Sequence, residues 1–237
     1  MMPGLFGRTG VSGSAWVPTD ISGCVSWLRG DLGITEDGAN LVGSWATQAG
    51  AASPFTQTTD ANKPTHVENA FNGQAGVSFP YDAVNPKWMK TTSLSLPQPC
   101  SLFVVAVNID VNTQASHTFL RDGAVSALAD ILNAYMRIYA GASIASVVTS
   151  IGQLADHIYE YQFNGDSSKA YLDKTSEEIS GSAGAGGFAG TVYIAANSDT
   201  PGQTGIFTIM EIVGYTPIPS SGNRDKLYTY FNTRYGL

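Results

Sequence analysis

The chain has 237 residues, 43% of them hydrophobic and only 13% charged, with 26 glycines and a net charge of −7. That length accommodates one large all-β domain or two small ones, burying roughly 70% of its unfolded surface without metals or disulfides. The 12 basic residues are scattered, which excludes nucleic acid, and an anionic membrane surface likewise, as the expected partner.

Residues 1–16 are rich in Gly and Ser, with isolated apolar residues, and read as an extended N-terminal arm ahead of a domain over 17–237. The arm has no apolar run of signal-peptide length, so synthesis in a cytoplasm is expected. From Ile21, "CVSWLRG", "NLVGSWATQAG" and "AGVSFP" read as short strands separated by Gly, Asp and Asn turn signals. "SLFVVAVNID" is a continuous β-rich run that needs apolar cover on both faces. "HTFLRDG" and "AYMRIYAG" are strand-like, and "VSALADIL" between them fits a helical turn or another strand. "HIYEYQFNG" alternates, with Ile158, Glu160 and Gln162 on one face and Tyr159, Tyr161 and Phe163 on the other. "NGDSSKAYLD" then supplies an Asn-Gly turn and a partner strand, and "TVYIAAN" and "GIFTIMEIVGY" are two more strands. About eleven or twelve short strands without βαβ spacing predict an antiparallel sandwich or barrel.

Pro217 and Pro219 stop the last strand, and Ser220 or Ser221 caps a short helix that ends at Gly236. Leu227, Tyr230, Phe231 and Arg234 fall on one face of it. So short a helix is unstable alone and is expected to dock through Leu227 and Phe231.

Four segments in this order, "DISGCVSWLRGDLGI…GANLVGSWATQAG", "KPTHVENAFNGQAGVSF", "CSLFVVAV" and "IMEIVGYTPIPSSGNRDKLYTYFNTRYGL", carry a family resemblance. Over about residues 17–237 the chain resembles the concanavalin A-like, laminin G-like jelly-roll domains found in phage virion proteins and bacterial surface proteins. The resemblance implies an all-β antiparallel jelly-roll sandwich with a short C-terminal helix. It leaves function open, because this fold hosts lectins, hydrolases, adhesion modules and virion parts.

Glycoside hydrolysis needs two carboxylates across a cleft, and hydrolases of the resembled fold place theirs in a Glu-x-Asp-x-Glu arrangement on one strand. Glu160 and Glu211 stand alone on their strands and Glu177-Glu178 falls in a polar turn, so no catalytic residue and no enzymatic activity are expected. His66, His117 and His157 lie far apart in sequence and read as surface or strand-edge residues without a metal. No cofactor is expected. Calcium on the loop carboxylates Asp122, Asp166 or Asp199 is the alternative.

"GAGGFA" at Gly184–Ala189 has dinucleotide-binding spacing, but a strand follows where a helix would receive the pyrophosphate, so it reads as a flexible loop. "RGD" at Arg29–Asp31 reads as a charged turn, and no Gly-x-Ser-x-Gly elbow exists. Cys24 and Cys100 read as reduced core thiols, with a disulfide between them left open. Tyr81, Trp88, Tyr135 and Tyr139, on or near loops, are candidate carbohydrate contacts, whereas Trp27 and Trp45 read as core.

These features, with the resemblance, lead to the expectation of a non-enzymatic virion structural protein. Specifically, it is a homo-oligomeric capsid decoration (cement) protein of a tailed phage. Leu5, Phe6, Arg8 and Trp16 of the arm would contact the major capsid protein or another virion subunit. The alternative is a carbohydrate- or receptor-binding module of a phage tail or bacterial surface protein, engaging a host surface glycan.

Overall fold

The alternating segments form seventeen strands in the computed structural model, which describes residues 16–110, 116–124, 126–145, 151, 155–174, 176–199 and 205–237. The first are β1 (Cys24–Arg29), β2 (Ile34–Glu36), β3 (Val42–Trp45), β4 (Phe55–Thr56), β5 (Thr65–Phe71), β6 (Gln74–Phe79), β7 (Met89–Leu96) and β8 (Cys100–Ile109). The chain continues through β9 (Ser116–Asp122), β10 (Leu128–Leu132), β11 (Tyr135–Tyr139), β12 (Ser143–Ala145) and β13 (Ala155–Phe163). It closes with β14 (Ser168–Leu172), β15 (Ser176–Gly181), β16 (Phe188–Ile194), β17 (Phe207–Tyr215) and helix α1 (Ser221–Tyr235).

All pairing is antiparallel, and the strands divide into two sheets. One has the order β15-β14-β13-β8-β17-β6-β5, with β1 also paired to β17. The other runs β12-β11-β10-β9-β16-β7-β4-β3-β2. The protein is an all-β sandwich with one C-terminal helix. The strand count exceeds the expectation because β2, β4 and β12 are two or three residues long, too short to show a period. "VSALADIL" resolves as a strand over Leu128–Leu132, whose Ala129 and Ile131 point into the core.

The principal core lies between the sheets and takes the inward face of each strand: Val104 and Ala106 of β8, Tyr159 and Tyr161 of β13, Ile131 of β10 and Ile194 of β16. A second cluster lies on the outer side of the eight-stranded sheet, where Phe103, Val105 and Val213 meet Leu227, Tyr228, Phe231 and Tyr235 of α1. β8 therefore has apolar cover on both faces, as its continuous hydrophobic run requires. Leu227 and Phe231 are buried as expected. The helix face also includes Tyr228 and Tyr235, because the surface below it carries carboxylates as well as apolar groups.

α1 ends where Gly236 adopts φ 70°, the left-handed conformation that glycine accepts without penalty. The Gly184–Ala189 loop is packed rather than free. Its Gly186 N–H donates to the Ala140 carbonyl at 2.7 Å, and a Cβ there would meet the Ser126 carbonyl oxygen at 1.8 Å. Cys24 and Cys100 are free thiols, and burial pushes each up to about 12. Among the described residues no helix is long and apolar enough to cross a membrane.

Candidate functional site

The outer faces of the two sheets differ in chemistry. On the eight-stranded sheet, Glu160 of β13 and Glu211 of β17 flank β8 and are fully buried beneath α1. Glu160 accepts from Arg224 Nε at 2.6 Å and Nη2 at 2.7 Å, from Tyr228 Oη at 2.9 Å and from Gln162 Nε2 at 2.5 Å. Glu211 accepts from Trp27 Nε1 at 2.5 Å, Tyr235 Oη at 2.6 Å and Tyr230 Oη at 3.1 Å, with the Arg234 guanidinium 3.9 Å away. Burial pushes the Glu211 carboxyl up to about 7, against the opposing pull of these donors and of Arg234.

Glu160 stands opposite Phe103 and Glu211 opposite Val105. Two strand spacings and this stagger put their Cα atoms on the order of 12 Å apart. The apolar side chains of β8 lie between them, and together the two carboxylates tie α1 to the sheet.

The nine-stranded sheet has no helix on its outer face among the described residues. Its registers align one outward rung across eight strands: Tyr139, Leu128, Arg121, Tyr193, Lys90, Thr56, Ser44 and Thr35. Trp88 stands beside this rung, its ring 5.9 Å from that of Tyr193 and 5.8 Å from the Lys90 ammonium. Lys90 pairs with Asp199 at 2.6 Å. Burial, and the nearby Asp199 carboxylate after it, raise the Tyr193 hydroxyl above its ordinary range.

In the neighbouring rung Arg137 grips Asp130 through Nε at 2.8 Å and through Nη2. Burial raises the Asp130 carboxyl, and Arg137 opposes the rise. The face thus combines aromatic rings with hydroxyl, ammonium and guanidinium donors, the combination that recognises a polyhydroxylated ring with apolar C–H faces.

Of the candidate sugar contacts, Tyr139 is on the rung and Tyr135 two residues earlier on the same strand face, 38% exposed. Trp88 reaches the same face but is buried, a correction to its reading as an exposed loop aromatic: Tyr193 covers it. Tyr81 is exposed in the β6–β7 loop. Tyr193 and Arg121 were not singled out by the sequence reading, although the alternation of Val192, Tyr193 and Ile194 already puts Tyr193 outward.

Leu5, Phe6 and Arg8 lie outside the described residues. Trp16 packs edge-on to Tyr230 of α1, centroids 5.7 Å apart, and walls a groove of about 640 Å³ with Lys226 and Arg234. A smaller concavity of about 400 Å³ lies between Gln98, Ser126 and Phe188.

Asp122, Asp166 and Asp199 are not brought together. Asp122 accepts from the backbone of Ala124, Ser126 and Ala189, and Asp166 from Ser182. Among the described residues no three His, Cys, Asp or Glu side chains form a metal-binding group. His66 contacts Glu36 and the Gly30 carbonyl, and His157 contacts Asp173. His117 is not at the surface: it is fully buried, accepting from the Ile206 N–H at 3.1 Å, because its strand position faces the core beside Phe207. Asp31 of the RGD turn pairs with Arg29 and with Arg234.

No family model matches the chain, and no curated protein sequence matches it. Solved structures do. A Trypanosoma rangeli sialidase in complex with sialic acid superposes with a TM-score of 0.58 at 14% identity, over 88% of this chain and 33% of that one. A structure from a study of botulinum neurotoxin type C, whose cell entry depends on interaction with two ganglioside molecules, gives 0.56 at 9% identity, over 88% of this chain and 51% of that one. Domain 4 of a GH43 extracellular arabinanase from Geobacillus stearothermophilus, in complex with arabinotriose, gives 0.56 at 11% identity, over 77% of this chain and 91% of that one. The chain spans about a third of the sialidase and about half of the toxin chain.

At these identities the likeness establishes the β-sandwich fold. It also corrects the expectation that the chain is no enzyme. That expectation rests on the missing Glu-x-Asp-x-Glu cluster, yet the same sandwich occurs within a sialidase and as a domain of an arabinanase. None of these three neighbours is a virion protein.

Proposed function

We propose that this chain is a glycan-binding β-sandwich module whose binding face is the outer surface of the nine-stranded sheet. The observation that carries the reading is the rung on which Tyr139, Tyr193 and Lys90, with Trp88 beside them, line up on a sheet face that carries no helix among the described residues, Tyr193 and Trp88 being largely buried there. The neighbours lend support: one is bound to arabinotriose and another comes from work on ganglioside interaction. Tyr139 and Tyr135 serve as stacking surfaces, Lys90 and Asp199 as hydroxyl partners, and Trp88 as the rigid backing of Tyr193. The capsid-decoration reading draws on the family resemblance and on the composition and arm of the sequence, and no observation of the fold favours it over glycan binding.

The test is a glycan array followed by titration calorimetry of the strongest ligands. The expected result is saturable binding that Tyr139→Ala weakens roughly tenfold, the loss of about 1.4 kcal/mol. Binding to no glycan, or binding indifferent to substitutions at Tyr139 and Tyr193, overturns the reading.

A further inference from the structure

α1 buries one side against the eight-stranded sheet, and its outer side carries a groove of about 640 Å³. Trp16 and Tyr230 wall it with Thr229, Thr233, Lys226 and Arg234, the last two adding the apolar surface of their methylene stems. The two rings are not isolated surface groups. Tyr230 packs on the buried Phe231 with centroids 5.4 Å apart, and Trp16 packs on Tyr230, so the groove is where the second apolar cluster reaches the surface. Lys226, Thr229 and Thr233 are exposed and Trp16 and Tyr230 only half-buried, which leaves the groove open to an incoming side chain.

The chain already follows this cluster as it approaches β1. The Tyr215 hydroxyl donates to the Pro18 carbonyl at 2.9 Å, and Val17 and Trp16 before it pack against the α1 cluster. The residues that precede Trp16 therefore start at the wall of the groove. Among them Leu5 and Phe6 form an adjacent large apolar pair, and Phe6 lies ten positions before Trp16. A stretch of that length rich in Gly and Ser has an r.m.s. span of about 16–19 Å. The part of α1 that lines the groove, Asp225 to Arg234, covers about 14 Å. Reach thus matches the distance to be spanned, the condition under which a tether raises local concentration most, to the order of 1 mM. A second copy of the chain competes only at a comparable protein concentration.

We infer that the groove on α1 is the docking site of this chain's own N-terminal arm, with Leu5 and Phe6 laid against Trp16 and Tyr230. The apolar residues of the arm then have an intramolecular partner in place of a virion subunit, and α1 is packed on both sides. The assignment does not depend on the glycan-binding reading of the other sheet.

Two measurements on the full chain test it. Trp27, Trp45 and Trp88 are buried and Trp16 is not, so acrylamide quenching of tryptophan fluorescence reads Trp16. In the Leu5→Ser, Phe6→Ser double variant the quenching constant is expected to rise, the emission to shift to longer wavelength and the melting temperature to fall by about 2–4 °C. The second measurement is a disulfide trap. Gly7→Cys with Thr229→Cys is expected to close within one chain at micromolar protein, giving a faster-migrating monomer on a non-reducing gel. Gly7→Cys with Thr56→Cys, on the outer face of the other sheet, is expected to stay open. Cys24 and Cys100 do not interfere, because burial holds their thiols protonated. Quenching and melting unchanged in the double variant, or trapping at Thr229 no greater than at Thr56, overturns the inference. A trap that closes only between chains, as a disulfide-linked dimer, overturns it in favour of a second copy as the occupant.

Discussion

The outer faces of the two sheets are built from the same alternation and have opposite fates. On the eight-stranded sheet Glu160 and Glu211 are carboxylates at outward positions, and α1 brings Arg224, Tyr228, Tyr230 and Tyr235 to satisfy them. On the nine-stranded sheet the outward polar groups are cations, tyrosines and hydroxyls, with Asp130 among them. Two of the cations find carboxylates within the sheet and its loops, and Arg121 finds none. A covered face must satisfy every polar group from within the chain, because a buried charge left alone costs far more than a lost contact. An open face meets that constraint with water, which satisfies whatever donors and acceptors stay exposed.

Substitutions on the covered face should therefore be read in stability. Phe231→Ala empties a fully buried site against Phe103 and is expected to cost about 3–5 kcal/mol in urea unfolding. An unchanged midpoint would mean that α1 does not contribute to the fold. Glu160→Ala leaves Arg224 and Tyr228 without their acceptor and should cost a similar 3–5 kcal/mol, roughly the penalty for breaking a buried ion pair. If Glu160→Leu recovers much of that loss, the carboxylate serves to orient the helix more than to stabilise it.

Glu211 gives the covered face a pH signature. Its folded carboxyl titrates near 7, above the ordinary 4.5, chiefly because it is buried. Between those values the folded state holds a proton that the unfolded state has released. Stability is highest below the unfolded value and falls as pH rises through this window, by up to about 1.4 kcal/mol per pH unit. Glu211→Gln should flatten that slope. A slope of opposite sign would show that Arg234 and the three hydroxyl and indole donors outweigh burial and keep the carboxylate ionised.

On the open face the same measurements should barely move. Tyr139→Ala is expected to shift stability by about 0.5 kcal/mol or less while costing most of the glycan affinity. Lys90→Gln, which removes an exposed pair with Asp199, should be comparably small, roughly 0.2–1 kcal/mol. A large stability loss from Tyr139→Ala would erase the distinction between the two faces.

Much of the architecture was legible in the chain itself. The alternation of Ile158–Phe163 set Tyr159, Tyr161 and Phe163 on one face and Ile158 and Glu160 on the other, and the structure turns the first set into the core and the second under the helix. The unbroken apolar run of β8 announced cover on both sides. Pro217, Ser220 and Gly236 bounded α1. These are local matters: the period of a segment states which residues share a face, and capping and turn residues state where it stops.

What only the tertiary structure decided is which strands lie side by side. β9 pairs with β16, about seventy residues further along, and β13 and β17 flank β8. No period encodes those adjacencies; they follow from burying two whole sheet faces together and from hydrogen-bond register along each ladder. Glu160 and Glu211 looked solitary in sequence because the residues that complete them, Arg224, Tyr228 and Tyr235, arrive on a helix at the far end of the chain. Arg121 looked ordinary for the same reason. Only register sets it between Leu128 and Tyr193 with Tyr139 one strand beyond, and only the assembled sheet shows that a guanidinium so placed has no acceptor of its own.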